Sequence, residues 1–226
     1  MVKEGFPFVL ICLVDAAFCG MLYFWVVDSV IFIILGVFFL LLAAFMAYFF
    51  RDPRRTIPTE PDIIVSAADG KVTRIDETDD GKIVSVFLSP VDVHINRAPI
   101  AGKIVKVDYR KGKKVPATRD DASLVNERNS LTIEGEKMTV VCTQIAGILA
   151  RRIVCWRKEG DNLELGEKFG LIKFGSRTDL LMPQDVEIMV AIGDKVVGGE
   201  TIIARLKGGY QLPASESQVS AAQYAG

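Results

Sequence analysis

The sequence predicts an N-terminal transmembrane helical hairpin followed by a β-rich domain. Three observations carry this: two adjacent apolar runs of bilayer-spanning length, a series of short β-branched segments separated by Gly- and Asp-bearing turns, and no sustained helical periodicity after residue 50. Whole-chain averages conceal the division. Across 226 residues, 27 Lys and Arg stand against 28 Asp and Glu, yet residues 1–50 hold only Lys3, Glu4, Asp15 and Asp28 as charges. The balanced remainder lacks the basic excess of a nucleic-acid binder, and its abundant Val, Ile, Leu and Phe exclude intrinsic disorder.

Residues 1–50 form the predicted hairpin, with helices at about 7–27 and 30–50 separated by Asp28 and Ser29. Each run matches the roughly 20 residues that cross a hydrocarbon core as a helix. A cleaved signal peptide would carry a shorter apolar run and a small-residue cleavage site, and neither is present. Lys3 precedes the pair and Arg51, Arg54 and Arg55 follow it, so both ends and the following domain are expected on the cytoplasmic side of the cell membrane. Asp15 opposes the apolar pattern. A carboxylate at helix centre costs about 2.5–3.5 kcal/mol on insertion scales, so it is expected to face the other helix or to stay protonated.

Residues 51–61 read as a Pro-bearing linker and 62–211 as the β-rich domain. Candidate strands are Ile63–Ser66, Lys71–Ile75, Ile83–Leu88, Lys103–Tyr109, Ser130–Glu134, Lys137–Gln144, Ile153–Arg157, Gly170–Phe174, Val186–Val190 and Thr201–Leu206. Asp69-Gly70, Asp79-Asp80-Gly81, Glu159-Gly160-Asp161 and Gly193-Asp194 supply turn chemistry between them. Gln144–Arg152 is the one stretch that reads as a short helix. Residues 212–226, rich in Ser, Ala and Gln without apolar period, are expected to be a flexible tail.

His94 is the only histidine, and the four cysteines contain no Cys-x-x-Cys. Neither a zinc site nor a structural disulfide is expected, and the cysteine usage suits a reducing compartment.

Four polar segments interrupt the apolar pattern: Ser66–Val72 (SAADGKV), Ser89–Pro99 (SPVDVHINRAP), Asn126–Asn129 (NERN) and Phe174–Asp179 (FGSRTD). Taken singly, the first three have a plain structural reading, as a turn, a hydrogen-bonded histidine and a solvated loop, and the Gly-Ser of the fourth is by itself a weak signal. Strand alternation would put Asp92, His94 and Asn96 on one face. Together with FFRDPRR at 49–55, QIAGILARRI at 144–153 and the continuation to LLMP at 183, they occur in an order that resembles the phosphatidylserine decarboxylase family, of the short membrane-associated type. Related archaetidylserine decarboxylases share the pattern, which leaves the lipid tails open.

The resemblance implies a phospholipid substrate in the membrane and an enzyme that makes its own pyruvoyl cofactor, without a metal. Ser176 Oγ would attack the Gly175 carbonyl. Elimination from the resulting ester would leave a chain ending at Gly175 and a second one beginning with dehydroalanine, which water hydrolyses to the pyruvoyl group with loss of ammonia, the two fragments remaining together as a heterodimer. A proton acceptor is required, because a serine hydroxyl is a weak nucleophile at neutral pH. The family pattern gives this role to His94, oriented by Asp69. Larger bacterial members carry a second histidine where this chain has Arg97, and arginine is a poor base. Either His94 serves both maturation and decarboxylation, or another group such as Asp69 takes one role. Arg97 is then expected to bind an anionic part of the substrate, with Asn96, Asn126 and Asn129 as further substrate-binding residues.

Val186–Leu206 also resembles the half-barrel repeat of lipoyl and biotinyl carrier domains, and the expected architecture is therefore a barrel-sandwich, a lipoyl-like double half-barrel. An adaptor of that kind is a rival reading, although no Met-Lys-Met attachment site occurs. A membrane-anchored peptidase using Ser176 with Lys173 is a second rival.

Overall fold

A computed structural model describes residues 1–26, 28–113, 115–116, 125–147, 152–173 and 176–207. Two 20-residue helices, α1 (Phe6–Trp25) and α2 (Val30–Phe49), lie side by side, and at 1.5 Å per residue each is about 30 Å long. Cys12 and Cys19 on α1 and Ala43 on α2 are buried between them, and a Cβ added at Gly36 would lie 3.7 Å from Ala16 O and Cys19 Cβ. Small residues permit this approach. Asp15, half-buried, stands on α1 three residues from Cys12 and four from Cys19. Elsewhere the helices expose Leu10, Phe24, Trp25, Ile34 and Leu41, a surface consistent with membrane association.

The hairpin is joined to the domain by packing. Val2 N donates to Phe50 O at 2.9 Å, Phe8 and Phe50 stack at 5.5 Å, and Trp156 Nε1 donates to Glu4 Oε1 at 2.8 Å. Val2, Phe49, Phe50, Val93, Ile95 and Leu171 form one buried cluster across the junction. Arg51 lies 3.9 Å above the Tyr48 ring and donates to Val91 O at 2.8 Å.

The domain contains β1 (Ile63–Val65), β2 (Gly70–Thr78), β3 (Gly81–Leu88), β4 (Ile95–Arg97), β5 (Gly102–Arg110), β6 (Arg128–Glu134) and β7 (Thr139–Ala146). There follow β8 (Ile153–Cys155), β9 (Asn162–Leu163), β10 (Lys168–Ile172), β11 (Ser176–Met182), β12 (Val186–Ile188), β13 (Lys195–Val196) and β14 (Ile202–Leu206). Eight strands pair in the order β13-β2-β3-β11-β7-β6-β5-β9, a sheet that curls into a half-barrel around Val72, Val84, Leu131, Ile133 and Leu180. Two smaller sheets, β1-β14-β12 and β4-β10-β8, complete the β-rich domain.

Two sequence expectations change. Ile145 and Ala146 are not helical: they carry the expected strand past Gln144 to the end of β7, where Ile145 pairs with Arg177 on one side and Arg128 on the other. Residues 148–151 of that expected helix lie outside the described residues, as do Phe174, Gly175 and the expected tail at 212–226. Ser176–Asp179, outside every candidate strand, begins the central strand β11, whose first three residues are buried because β3 and β7 flank it.

The linker is strapped to the domain. Arg55 Nη2 donates to Asp69 Oδ1 and Oδ2 at 2.9 and 2.7 Å, Lys168 Nζ donates to Asp52 Oδ2 at 2.6 Å, and Thr56 N donates to Glu200 Oε1 at 2.8 Å. The Arg55–Asp69 pair, part-buried and made through both carboxylate oxygens, is the best shielded of these fastenings.

Candidate active site

His94 sits just before β4, with Ile172 N of β10 donating to its carbonyl at 3.2 Å. The loop ahead of it is shaped by Asp92, whose carboxylate accepts from Ser89 N at 2.7 Å and Ser89 Oγ at 2.6 Å. That turn presents Asp92 O to His94 Nδ1 at 2.9 Å. A carbonyl only accepts, so the neutral imidazole carries its proton on Nδ1 and leaves the Nε2 lone pair unprotonated. His94 is 3% exposed. Burial pushes it down to about 4, against the pull of the Asp92 carbonyl and carboxylate, and Arg51 pushes the same way as burial.

Ser176 is the first residue of β11, held between Leu88 of β3 and Ala146 of β7 and fully buried. Among the described residues its Oγ has no hydrogen-bond partner, and neither does His94 Nε2; Ser85 Oγ on β3 shares the property. A buried polar atom left unpaired costs about 1–3 kcal/mol, which makes such atoms candidates for chemistry. Asn96 Nδ2 donates to Thr178 Oγ1 at 3.0 Å, a contact that lies two residues after His94 on one segment and two residues after Ser176 on the other.

Behind them runs a buried amide chain. Gln144 Nε2 donates to Asn96 Oδ1 at 2.9 Å, and Asn129 Nδ2 donates to Gln144 Oε1 at 3.0 Å. Asn126 Nδ2 donates to Ala146 O at 2.7 Å and Val115 O at 2.8 Å. The side chains of Asn96, Asn126 and Asn129 are thus taken up by protein partners linking β4, β6, β7 and β11.

The expected Asp69–His94 bond is not formed. Gly70, at φ +153°, starts β2 so close to β3 that a Cβ would lie 2.1 Å from Phe87 O, and this places Asp69 against the 197–199 turn. Gly198 N donates to Asp69 Oδ1 at 2.9 Å, and Arg55 takes both carboxylate oxygens. Burial pushes the Asp69 carboxyl up, opposed by the Gly198 amide and Arg55.

Arg97 is 8% exposed. Its Nη1 donates to Gly166 O at 3.1 Å, and Nη2 reaches Asp52 Oδ1 and Pro53 O at 3.4 Å. A Cβ at Gly199, where φ is +81°, would lie 2.9 Å from Arg97 Cδ, so that glycine makes room for the side chain. Arg97, Arg54, Arg55 and Lys168 line a cavity of about 490 Å³ together with the carboxylates Asp52, Glu164 and Glu167. Among the described residues, no group of three His, Cys, Asp or Glu side chains is placed to hold a metal ion.

Sequence reasoning missed three neighbours. Arg55 is the ionic partner of Asp69, Gln144 joins Asn96 to Asn129, and the Phe49 ring lies 4.3 Å from that of His94. Phe49 and Arg55 both stand in FFRDPRR, so the signal was present but read as helix end and linker.

The depressed imidazole makes stability depend on pH. Between about 6.5 and 4 the unfolded chain binds a proton at His94 that the folded chain does not, so stability is full above 6.5 and falls as pH is lowered through this window. Urea unfolding in mild detergent at pH 7 and 4.5 is expected to show a loss of about 2–3 kcal/mol from this residue. His94→Gln should lack that part of the loss; an equal loss in both proteins would show that the imidazole is not buried neutral.

A buried hydroxyl and a neutral imidazole are groups that can transfer protons, and here they stand in a β-rich domain packed against two membrane-length helices. Over residues 42–204, more than two thirds of its length, the chain matches the family model for phosphatidylserine decarboxylase. It belongs to that family and is a decarboxylase of phospholipid biosynthesis.

Proposed function

We propose that the chain cuts itself between Gly175 and Ser176, carries the pyruvoyl group formed from Ser176, and decarboxylates phosphatidylserine at the cytoplasmic face of the membrane. The observation that carries this reading is the pair of buried atoms, Ser176 Oγ and His94 Nε2, that have no hydrogen-bond partner among the described residues. His94 Nε2 takes the Ser176 proton as Oγ attacks the Gly175 carbonyl. An imidazole held near 4 is a weak base, but each chain is cut only once, so maturation makes small demands on rate. The family resemblance supplies the identity of the group at Ser176, and the buried hydroxyl at a strand start fits it. When present, that group accepts the electrons released as carbon dioxide leaves.

In turnover His94 returns a proton to the substrate carbon. The burial that makes it a weak base makes its protonated form a strong acid. Arg97 orients an anionic part of the substrate, a reading supported by the cavity it shares with Arg54, Arg55 and Lys168 at the foot of α2. Asn96, Asn126 and Asn129 hold the strands that carry Ser176, and Asp69 fastens the linker. The cytoplasmic orientation rests on Lys3, Arg51, Arg54 and Arg55 at the outer ends of the hairpin.

Intact mass measurement of the purified protein tests the reading. Fragments 1–175 and 176–226 are expected, the second lacking a free amine. One uncut, active chain would overturn self-cleavage, and a cut chain with a free Ser176 amine would indicate ordinary proteolysis.

A further inference from the structure

We propose that Phe49, the last residue of α2, is a positioning residue for His94, so that the membrane anchor itself forms one wall of the reaction site. The proposal rests on the reading of His94 as the proton-transfer group. The two ring centroids are 4.3 Å apart with planes inclined at 33°, and Phe49 is 1% exposed. Its own position is fixed from behind, since Phe50 meets it edge-on at 4.9 Å and is in turn stacked on Phe8 and bonded to Val2. Val93 and Ile95, on either side of His94, and Leu171 of β10 belong to the same buried cluster.

The imidazole is thereby held at two points. Asp92 O fixes the Nδ1 edge and Phe49 packs against the ring, which leaves Nε2 as the ring nitrogen without a partner among the described residues. A helix end gives a stiffer wall than a loop would. The charged groups that act on the imidazole are Asp92 from its own loop and Arg51 just past α2; Lys173, after β10, has its Nζ 5.1 Å from the Phe8 ring centroid. Removing the Phe49 ring leaves these in place and admits water. The protonated imidazole then becomes easier to form, in keeping with burial as the main cause of its depressed titration.

Because His94 is the only histidine, one imidazole signal reports on it alone. NMR titration of the histidine-labelled full chain in lipid nanodiscs is expected to give a wild-type midpoint near 4. Phe49→Ala should raise it by about one pH unit or more, while Phe49→Leu, which keeps apolar bulk, should stay close to wild type. A folded, membrane-bound Phe49→Ala protein with an unchanged midpoint overturns the proposal. Should alanine not fold, Phe49→Val opens part of the same space and is read by the same criterion.

The acid limb of the decarboxylation pH profile is then compared across the same proteins. If it moves with the midpoint, both the positioning and the role of His94 hold. If the midpoint moves and the limb does not, Phe49 still sets the imidazole's surroundings and the assignment of His94 to proton transfer is the part that falls.

Discussion

Ser176→Ala is expected to leave a single chain of 226 residues that releases no carbon dioxide from phosphatidylserine. The effect is complete, because without Oγ no atom at this position can attack the Gly175 carbonyl and no pyruvoyl group can form. The fold does not depend on that oxygen. Ser176 is held through strand pairing with Leu88 and Ala146, and its hydroxyl has no partner among the described residues. Deleting an unpaired buried polar atom relieves a penalty of about 1–3 kcal/mol, so the uncut variant should unfold at the same or a higher urea concentration than the wild-type precursor. Ser176→Cys keeps a nucleophilic atom on Cβ and should cut slowly. A denaturing gel with carbon dioxide release from carboxyl-labelled lipid reads all three proteins; an alanine variant that is still cut would remove Ser176 from the mechanism.

His94→Gln should slow self-cleavage by about 10²–10⁴-fold, the usual contribution of a positioned general base. Glutamine can still donate an N–H toward Asp92 O, so the loop that ends at His94 keeps its anchor while the basic lone pair is lost. The chain holds no second histidine to substitute. Time courses of cleavage on freshly made precursor, and of decarboxylation normalised to the cut fraction, separate the two roles. If both fall, His94 serves maturation and turnover. If cleavage proceeds at the wild-type rate and only decarboxylation falls, another group accepts the Ser176 proton, and the one-residue assignment is wrong.

The hairpin was legible because membrane spanning is written in local composition: 20 consecutive apolar residues have few other uses in a chain of this size. β2, β3, β5 and β7 were legible for a related reason, since β-branched alternation between turns is also a local signal. β11 was not. Its Ser-Arg-Thr-Asp opening is polar, and only the flanking β3 and β7 bury it, which no window of sequence shows. Ile145 misled in the opposite direction. Its neighbours have good helix propensity, but strand pairing with Arg177 and Arg128 overrides it.

At the site, Ser176 and His94 were named from motif order, whereas their partners depended on contacts remote in sequence. Asp69 bonds Arg55 across 14 residues and Gly198 across 129. Pairings at such separations are set by how the sheets close, and the choice between His94 and Arg55 as the partner of Asp69 could not be made before that closure was seen.

The strapped linker has a consequence for how substrate is found. With Arg55 clamped on Asp69 and Asp52 on Lys168, the domain does not swing through the surrounding water like a weight on a string. With the hairpin in a bilayer, its height above the surface is set at assembly. On the proposed reading, encounter is then a two-dimensional search in which enzyme and lipid drift laterally in one leaflet, and the quantity that governs occupancy of the site is the mole fraction of substrate in that leaflet.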